Sequence, residues 1–366
     1  MIVIVQPWFS AVGHPAQSLI NLAKIIGNHD GITYFISVIT GNKLAEEASV
    51  KLKHFGEVVD YPVKTPSIRE GTLKALSLLR KLFVTKPSIK CVFFLDAHLV
   101  MMSVLWQFCA QENIKRLGVV YLMGPERVAR YGFIKYFIAR FLERKEVVLF
   151  LRTEELVLDW QIAFPDACIK CLPTLEMPFD EKFVVQDQVL SKLVRLGVFG
   201  QIRTGKSLEW LVPLFKNNRL SAKLTVAGAF SQPVKISLQN LLMGLEGFKE
   251  IFLSEQELLI LASQQDYLLM LYDNWDSRME GAIMFLAARV NRPVIVYNEG
   301  WCGRMVRTYG NGLLAPKNHE HFTKFIQNLP LFGSTEYQKL LESVAIFRQA
   351  HSGKHIREAF LEAILV

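Results

Sequence analysis

Short apolar runs alternate with amphipathic helical patterns along nearly the whole chain, and this alternation restricts the fold more than any single motif. Residues 2–5, 33–39, 92–95, 119–123 and 147–151 are apolar runs of strand length. Between them lie segments with helical spacing, such as Leu19, Ile20, Leu22, Ala23 and Ile26 within 15–26. Strands joined through helices make a parallel sheet covered on both faces. The pattern breaks near Pro173, Pro178 and the polar run 180–188, which reads as a linker. A second series starts at Leu193, with strands expected over 195–199, 224–227, 250–253, 267–271 and 293–297. The expectation is an α/β fold of two doubly wound, Rossmann-like domains, 1–175 and 192–335, facing a cleft. A helical segment, 336–366, follows and is expected to pack back on the first domain. Ligands of such sheets bind outside the carboxyl ends of the strands.

Composition agrees with a folded, two-domain chain. A length of 366 residues exceeds what one core comfortably serves. With 51% hydrophobic and 21% charged residues, intrinsic disorder is excluded as a class. The N-terminal apolar run lacks a basic flank and reads as a buried strand rather than a signal peptide. No window reaches the ~18 uninterrupted apolar residues of a membrane span. Five cysteines, an odd number, point to a reducing cytosol rather than a disulfide scaffold. Cys168 and Cys171 form a lone CxxC, and a zinc site needs about four ligands, so they read as ordinary thiols. The net charge of +8 allows nucleic acid, an anionic membrane or anionic small molecules as partners. Nucleic acid is the weakest of these, because no DNA- or RNA-binding motif is present.

The chemistry-bearing residues gather at strand ends. The strand near 196–199 runs into Gly200-Gln-Ile-Arg-Thr-Gly-Lys206. Such a turn exposes backbone N–H groups at a helix start, where the dipole favours an anion, and Arg203 and Lys206 add two cations. Two exposed cations on an ordinary helix start are the plainer alternative. Gly228 ends the next strand. Asp273 and Asp276 follow the strand near 267–271, either as ligand contacts or as turn formers. Glu280 and Gly281 stand at a helix start. Asn298, Glu299 and Gly300 open a loop, 298–303, in which Trp301 and Cys302 are bulky. In the first half, Gly13 with His14 follows the first strand. Asp96 and His98 end another, either as a base and its neighbour near an acceptor hydroxyl or as a capped helix start. Glu126 is a weaker candidate. No aspartate-rich metal motif is visible.

Taken in order, the turn with Arg203 and Lys206, the glycine at 228, the segment 252–258, Asp266 with its strand, Gly281, the Pro293 strand, the glycines 300 and 303 and the run 310–316 form a collinear series. This series resembles the donor-binding half of GT-B-fold glycosyltransferases that use nucleotide sugars, above all the family 4 group. The resemblance covers roughly 193–316 by motif and the N-terminal half by architecture. It implies that Lys206 neutralises the donor diphosphate. Gln201 stands where an arginine is usual, and Arg203 would supply that charge. Prepositioned cations matter because charge builds on the diphosphate as the glycosidic bond breaks. The resemblance places Gly13, Arg203, Lys206, Gly228, Asp273, Gly281, Asn298, Glu299 and Gly300 near the donor. By position, Glu280 beside Gly281 reads either as a donor-sugar contact or as an acid in an ordinary first helical turn, and Asp96 or His98 as groups on the acceptor side.

The implied activity is transfer of a sugar from a UDP- or GDP-activated donor to a hydroxyl of a glycan or lipid-linked saccharide. Surface polysaccharide or glycoconjugate synthesis is the implied setting. The same resemblance implies retention of anomeric configuration, with no metal and no cofactor beyond the donor itself. One departure cuts against it. The two slots where the group often has glutamates hold Arg278 and Leu286, and Leu286 cannot grip a ribose. A catalytically degenerate relative that binds a nucleotide sugar or a partner enzyme without transfer is therefore the alternative. A sugar-nucleotide epimerase on the same fold is a third and weaker reading.

Positive charge is concentrated in 127–145, where Arg127, Arg130, Lys135, Arg140, Arg144 and Lys145 punctuate an aromatic and aliphatic stretch. Such a segment either packs one face on the sheet with its cations in water or makes shallow contact with an anionic membrane. The latter would place a cytoplasmic enzyme at the inner face of the membrane, near a lipid-linked acceptor.

Overall fold

The apolar runs become the strands of two parallel sheets. The computed structural model describes residues 1–366 apart from 10–14, 28–30, 40–41, 65–66, 86–88, 97, 99–100, 102–104, 106–113, 131, 174–192, 217–219, 221, 231–235, 252, 274–276 and 366. The expected linker, 180–188, lies outside the described residues. The chain divides into two compact units, one of 1–178 with 353–366 and one of 179–352.

The first unit holds β1 (Ile2–Gln6), β2 (Ile32–Val38), β3 (Glu57–Pro62), β4 (Cys91–Phe94), β5 (Arg116–Val120), β6 (Val147–Leu151) and β7 (Ile169–Cys171). Their order in the sheet is β3-β2-β1-β4-β5-β6-β7, paired in parallel throughout. Strands β4 and β6 are buried at every position, which is why their sequences run apolar without alternation. One face is covered by α1 (Pro15–Ile26) and α2 (Lys43–Leu52). The other face takes α3 (Ile68–Thr85), α4 (Glu126–Ala129), α5 (Ile134–Leu142) and α6 (Glu154–Ala163). Trp160 of α6 is fully buried, and its indole N–H donates to the Met123 carbonyl at 2.8 Å.

The second unit holds β8 (Val194–Phe199), β9 (Ala222–Gly228), β10 (Phe248–Glu250), β11 (Tyr267–Met270), β12 (Val294–Tyr297) and β13 (Gly312–Ala315). The order is β10-β9-β8-β11-β12-β13, again parallel. Its helices include α7 (Leu208–Lys216), α8 (Ile236–Met243), α9 (Glu255–Ser263), α10 (Ala282–Arg289), α11 (Gly300–Tyr309), α12 (His319–Gln327) and α13 (Thr335–Ala350). The strand expected over 250–253 falls earlier, because register with β9 sets Phe248 opposite Val226. The strand expected over 119–123 likewise sits at Arg116–Val120, where β4 and β6 provide partners.

At the amino end of this sheet the buried polar groups are closely matched. The Arg195 guanidinium donates to Asp266 at 2.8 Å, and the Arg195 backbone N–H donates to the same carboxylate at 2.7 Å. The Tyr337 hydroxyl donates to the Asp266 carbonyl at 2.6 Å. Buried Arg292 donates to the carbonyls of Gln265 and Ser263 at 2.7 and 2.8 Å. Pairing of this kind offsets part of the cost of burying charge, although burial still lowers the pKa of Arg292.

The C-terminal segment is split. Helix α13 turns Tyr337, Val344 and Phe347 into the second unit. The last helix, α14 (Gly353–Leu365), places Ile356 and Phe360 in the core of the first unit. There the Phe360 ring meets Phe93 edge to face at 4.8 Å. Replacing Phe360 by Ala should cost roughly 3–5 kcal/mol, as for other buried phenylalanines. Urea unfolding should register that loss, whereas Ile346→Ala, at a position 58% exposed, should leave the midpoint nearly unchanged.

Candidate functional site

In each sheet the chain reverses its direction of growth once, between β1 and β4 in the first unit and between β8 and β11 in the second. Such switch points open a crevice at the carboxyl ends of the strands. The second unit has the richer chemistry there. After Phe199, the chain turns through Gly200 at φ 84° and passes close to the end of β9. A Cβ at Gly228 would lie 1.9 Å from the Gly200 carbonyl oxygen, so only glycine lets the two strand ends approach this closely. Gly228 is thus part of the frame of the turn.

The turn folds Lys206 inward. Its side chain is 7% exposed, and its ammonium donates to the Phe199 carbonyl at 2.8 Å. Burial, and then the charge of Arg203, push the Lys206 pKa down to about 7. The next residue, Ser207, takes a left-handed backbone at φ 52° and is buried. Its hydroxyl donates to Asp273 at 2.6 Å, and the Tyr297 hydroxyl lies 3.0 Å from the same Ser207 oxygen. The Trp210 side chain bonds to Tyr297 in turn. The Asp273 backbone N–H donates to the Gly205 carbonyl at 2.8 Å. A hydrogen-bonded chain therefore runs from Trp210 through Tyr297 and Ser207 to Asp273. It ties the ends of β8, β11 and β12 together around Lys206.

Beside this lock lies a cavity of about 220 Å³, lined by Met270, Tyr272, Ser277, Tyr297, Glu299, Gly300, Trp301, Cys302 and Lys317. Helix α11 begins at its wall, with Glu299 as N-cap and no side-chain hydrogen bond capping its first turn. Helix α10 begins at Ala282 behind N-cap Gly281, also without a side-chain cap. Two helix starts without side-chain caps lie at one end of the sheet, where positive dipole ends favour an anion, although the Trp301 N–H of α11 already donates to the Ser277 carbonyl at 2.6 Å. Lys317 Nζ lies 2.6 Å from the Glu299 carboxylate and 5.3 Å from the centre of the Tyr297 ring. The site therefore offers an anion-attracting end, a carboxylate for hydroxyl groups and aromatic walls. A cavity this small holds part of a ligand, since complete small-molecule sites run to roughly 300–1,000 Å³.

At the switch point of the first unit, Asp96 also adopts a left-handed backbone, φ 58°, which is uncommon outside glycine. Its carboxylate accepts from the Gln6 amide at 2.9 Å, and the Gln6 side-chain oxygen accepts from the Trp8 N–H at 3.1 Å. His98 is exposed, and its pKa is lowered by partial desolvation and by Arg69. Helix α3 comes close to the end of β1. A Cβ at Gly71 would lie 1.9 Å from the Pro7 carbonyl oxygen, so a side chain there would force the helix away.

Solved structures match this fold over nearly the whole chain. HepE of Anabaena, in complex with UDP and glucose, gives a TM-score of 0.69 at 14% identity, covering 99% of this chain and 98% of its own. Sucrose-phosphate synthase of Thermosynechococcus elongatus gives 0.65 at 14% identity, covering 99% and 97%. The fold is GT-B. WaaG, a glycosyltransferase involved in lipopolysaccharide biosynthesis, gives 0.63 at 12% identity, covering 100% and 99%. No protein-family model and no curated protein matches the sequence.

Within the GT-B fold, the residues singled out from sequence separate clearly. Lys206, Asp273, Gly281, Glu299 and Gly300 gather at the carboxyl end of the second sheet, with Glu299 and Gly300 in the cavity wall. Arg203 stands on the same turn, close enough to Lys206 to lower its pKa. Glu280 precedes helix α10, close enough to Cys302 for its charge to raise that thiol, whose pKa burial pushes up to about 12. Asn298 instead accepts a hydrogen bond from Arg307. Asp96 and His98 belong to the first unit. Gly13 and Asp276 lie outside the described residues.

The plainer alternative of two exposed cations fails at Lys206, which is buried. One expectation needs correction. The stretch expected as a loop, 298–303, is helical from Gly300 onward, and Trp301 and Cys302 turn inward as buried residues of its first turn. Cys168 and Cys171 are free, with Cys171 at the end of β7 and Cys168 just before its first residue. Sequence reading missed Ser207, Tyr297 and Lys317. Lys317 was signalled only by its place, a cation two residues past Ala315 at the end of β13.

The burial of Lys206 has a measurable cost. Its folded pKa of about 7 lies below the roughly 10.4 of an unfolded lysine, so between these values the unfolded chain binds more protons. Lys206 thus opposes folding below pH 7, and its penalty fades as pH rises toward 10. A Lys206→Met protein should melt higher than the parent at pH 6 and lose that advantage near pH 10, as read by scanning calorimetry. An advantage that grew with pH would contradict the assignment.

Proposed function

We propose that the protein is a glycosyltransferase that takes its sugar from a UDP-linked donor, without a metal and with retention at the anomeric carbon. The observation that carries this reading is the buried Lys206 on the turn after β8, beside Arg203 and a cavity walled by the start of helix α11. The full-length GT-B match to a protein bound to UDP and glucose supports the choice of UDP over GDP. In the reaction, the bond from the anomeric carbon to the diphosphate oxygen breaks, and the nucleoside diphosphate leaves. The acceptor hydroxyl oxygen forms the new bond and gives up its proton. Arg203 and Lys206 stabilise the charge that builds on the departing diphosphate. Glu299 supplies the hydroxyl-binding carboxylate that Leu286, buried on helix α10, does not provide. On the acceptor side Asp96 orients the hydroxyl and His98 takes its proton. The lowered pKa of His98 keeps the imidazole neutral and able to accept near pH 7. The acceptor is a hydroxyl of a glycan or of a lipid-linked saccharide.

One observation favours a second reading, binding of a nucleotide sugar without transfer. Leu286 fills with hydrocarbon a helix position where the resemblance expects a ribose-binding glutamate.

Calorimetric titration separates these readings. UDP should bind with micromolar affinity, more tightly than GDP, and Arg203→Ala combined with Lys206→Met should weaken it about tenfold or more. Lys206 begins near half-protonated at pH 7 and becomes fully charged against the diphosphate. Binding should therefore take up about half a proton, seen as a dependence of the heat on buffer ionisation enthalpy. Affinity should fall as pH rises above 7. If neither nucleotide binds, the donor reading is wrong; if UDP binds and no UDP-sugar is turned over, the second reading stands.

The acceptor assignment has its own check. Asp96→Asn and His98→Ala should each reduce turnover by about 100-fold while UDP affinity holds within a factor of two or so. A matching loss of UDP affinity would place these residues in the wrong role.

A further inference from the structure

The basic segment of the first unit divides its apolar residues between two sides. In helix α5, Ile138, Phe141 and Leu142 are buried in the core. Phe133, just before the helix, and Tyr136 point the other way, 76% and 59% exposed. Large aromatic rings rarely sit so far out in water without a partner. The rings form a cluster: Phe133 and Tyr136 each stand edge-on to Phe137, at 6.2 and 5.9 Å. The Arg140 guanidinium lies 5.4 Å over the Tyr136 ring and donates to its hydroxyl at 2.9 Å. Arg127, Arg130, Lys135 and Arg140 are all exposed. Across 126–145 six cations face only two carboxylates, Glu126 and Glu143, a net of four positive charges.

We propose that this face docks on an anionic lipid bilayer. Phe133 and Tyr136 enter the headgroup layer, and the surrounding arginines and lysine meet the lipid phosphates. Helix α5 has 9 residues, too short to span a bilayer, so it lies along the surface. The side-chain mixture selects a bilayer over other anionic partners. A phosphate plane with an apolar layer beneath satisfies long cations and aromatic rings together, whereas a purely ionic partner leaves Phe133 in water. The inference does not depend on the sugar-transfer reading.

The test is flotation of the full chain with vesicles of phosphatidylcholine alone and with vesicles containing roughly one-third phosphatidylglycerol. The protein should float with the anionic vesicles, stay behind with the neutral ones, and be released in roughly 0.5 M salt. Phe133→Ser with Tyr136→Ser, and separately Arg127→Ser with Arg130→Ser, should each lower the bound fraction about tenfold with an unchanged melting curve. The proposal fails if the parent ignores anionic vesicles, or if both variants float as the parent does. It also fails if the aromatic pair instead proves to hold a dimer, detected as a halved mass for that variant in solution.

Discussion

Strand β8 pairs in parallel with β9 on one side and β11 on the other, and the candidate site hangs from that pairing. Because all three strands run the same way, their carboxyl ends lie on one edge. Because the chain leaves β8 in one direction and later returns on the other side, no crossover helix closes the gap above it. The turn after Phe199 fills that gap. Its two backbone neighbours, the end of β9 at Gly228 and the Asp273 N–H after β11, fix it from both flanks. A lysine on a free loop would reach into water; on this turn it is pulled back onto the Phe199 carbonyl.

The two ends of the second sheet treat buried charge in opposite ways. At the amino end, the Asp266 carboxylate meets Arg195 and also favours the charge of Arg292, so burial is partly offset. At the carboxyl end, Lys206 is buried with a second cation near it and a backbone oxygen as its acceptor. Ser207 and, in the first unit, Asp96 hold left-handed backbones at the same kind of position. Unfavourable conformations and uncompensated charge persist only where the surrounding structure overrides them, and they collect at ligand sites. An anion arriving beside Lys206 would supply the missing counter-charge.

The architecture was largely legible because parallel strands buried on both faces leave unbroken apolar runs, as in 147–151 and 293–297. What escaped had a weaker pattern. Strand β3 is mostly exposed at an edge, β7 has three residues, and β13 begins at a glycine. At the site, Arg203 and Lys206 stand out by charge after a glycine turn, but nothing in their local pattern signals that Lys206 turns inward. That depends on Phe199 and Gly228, residues brought beside it only by sheet pairing. Tyr297 read as the last residue of a strand, and its role in holding Ser207 appears only once β8 and β12 share a sheet. Trp301 and Cys302 looked too bulky for a loop because they belong to a helix.

The last helix gives the molecule an unusual order of completion. Ile356 and Phe360 belong to a core whose other members lie within the first 172 residues. The second unit, 179–352, is an uninterrupted stretch set inside a discontinuous one. During synthesis the residues up to 172 emerge before the second unit, yet their core fills only once Ile356 and Phe360 have followed it. A domain that folds as one body is thus written in the sequence as two pieces, and the later piece is needed to complete the earlier.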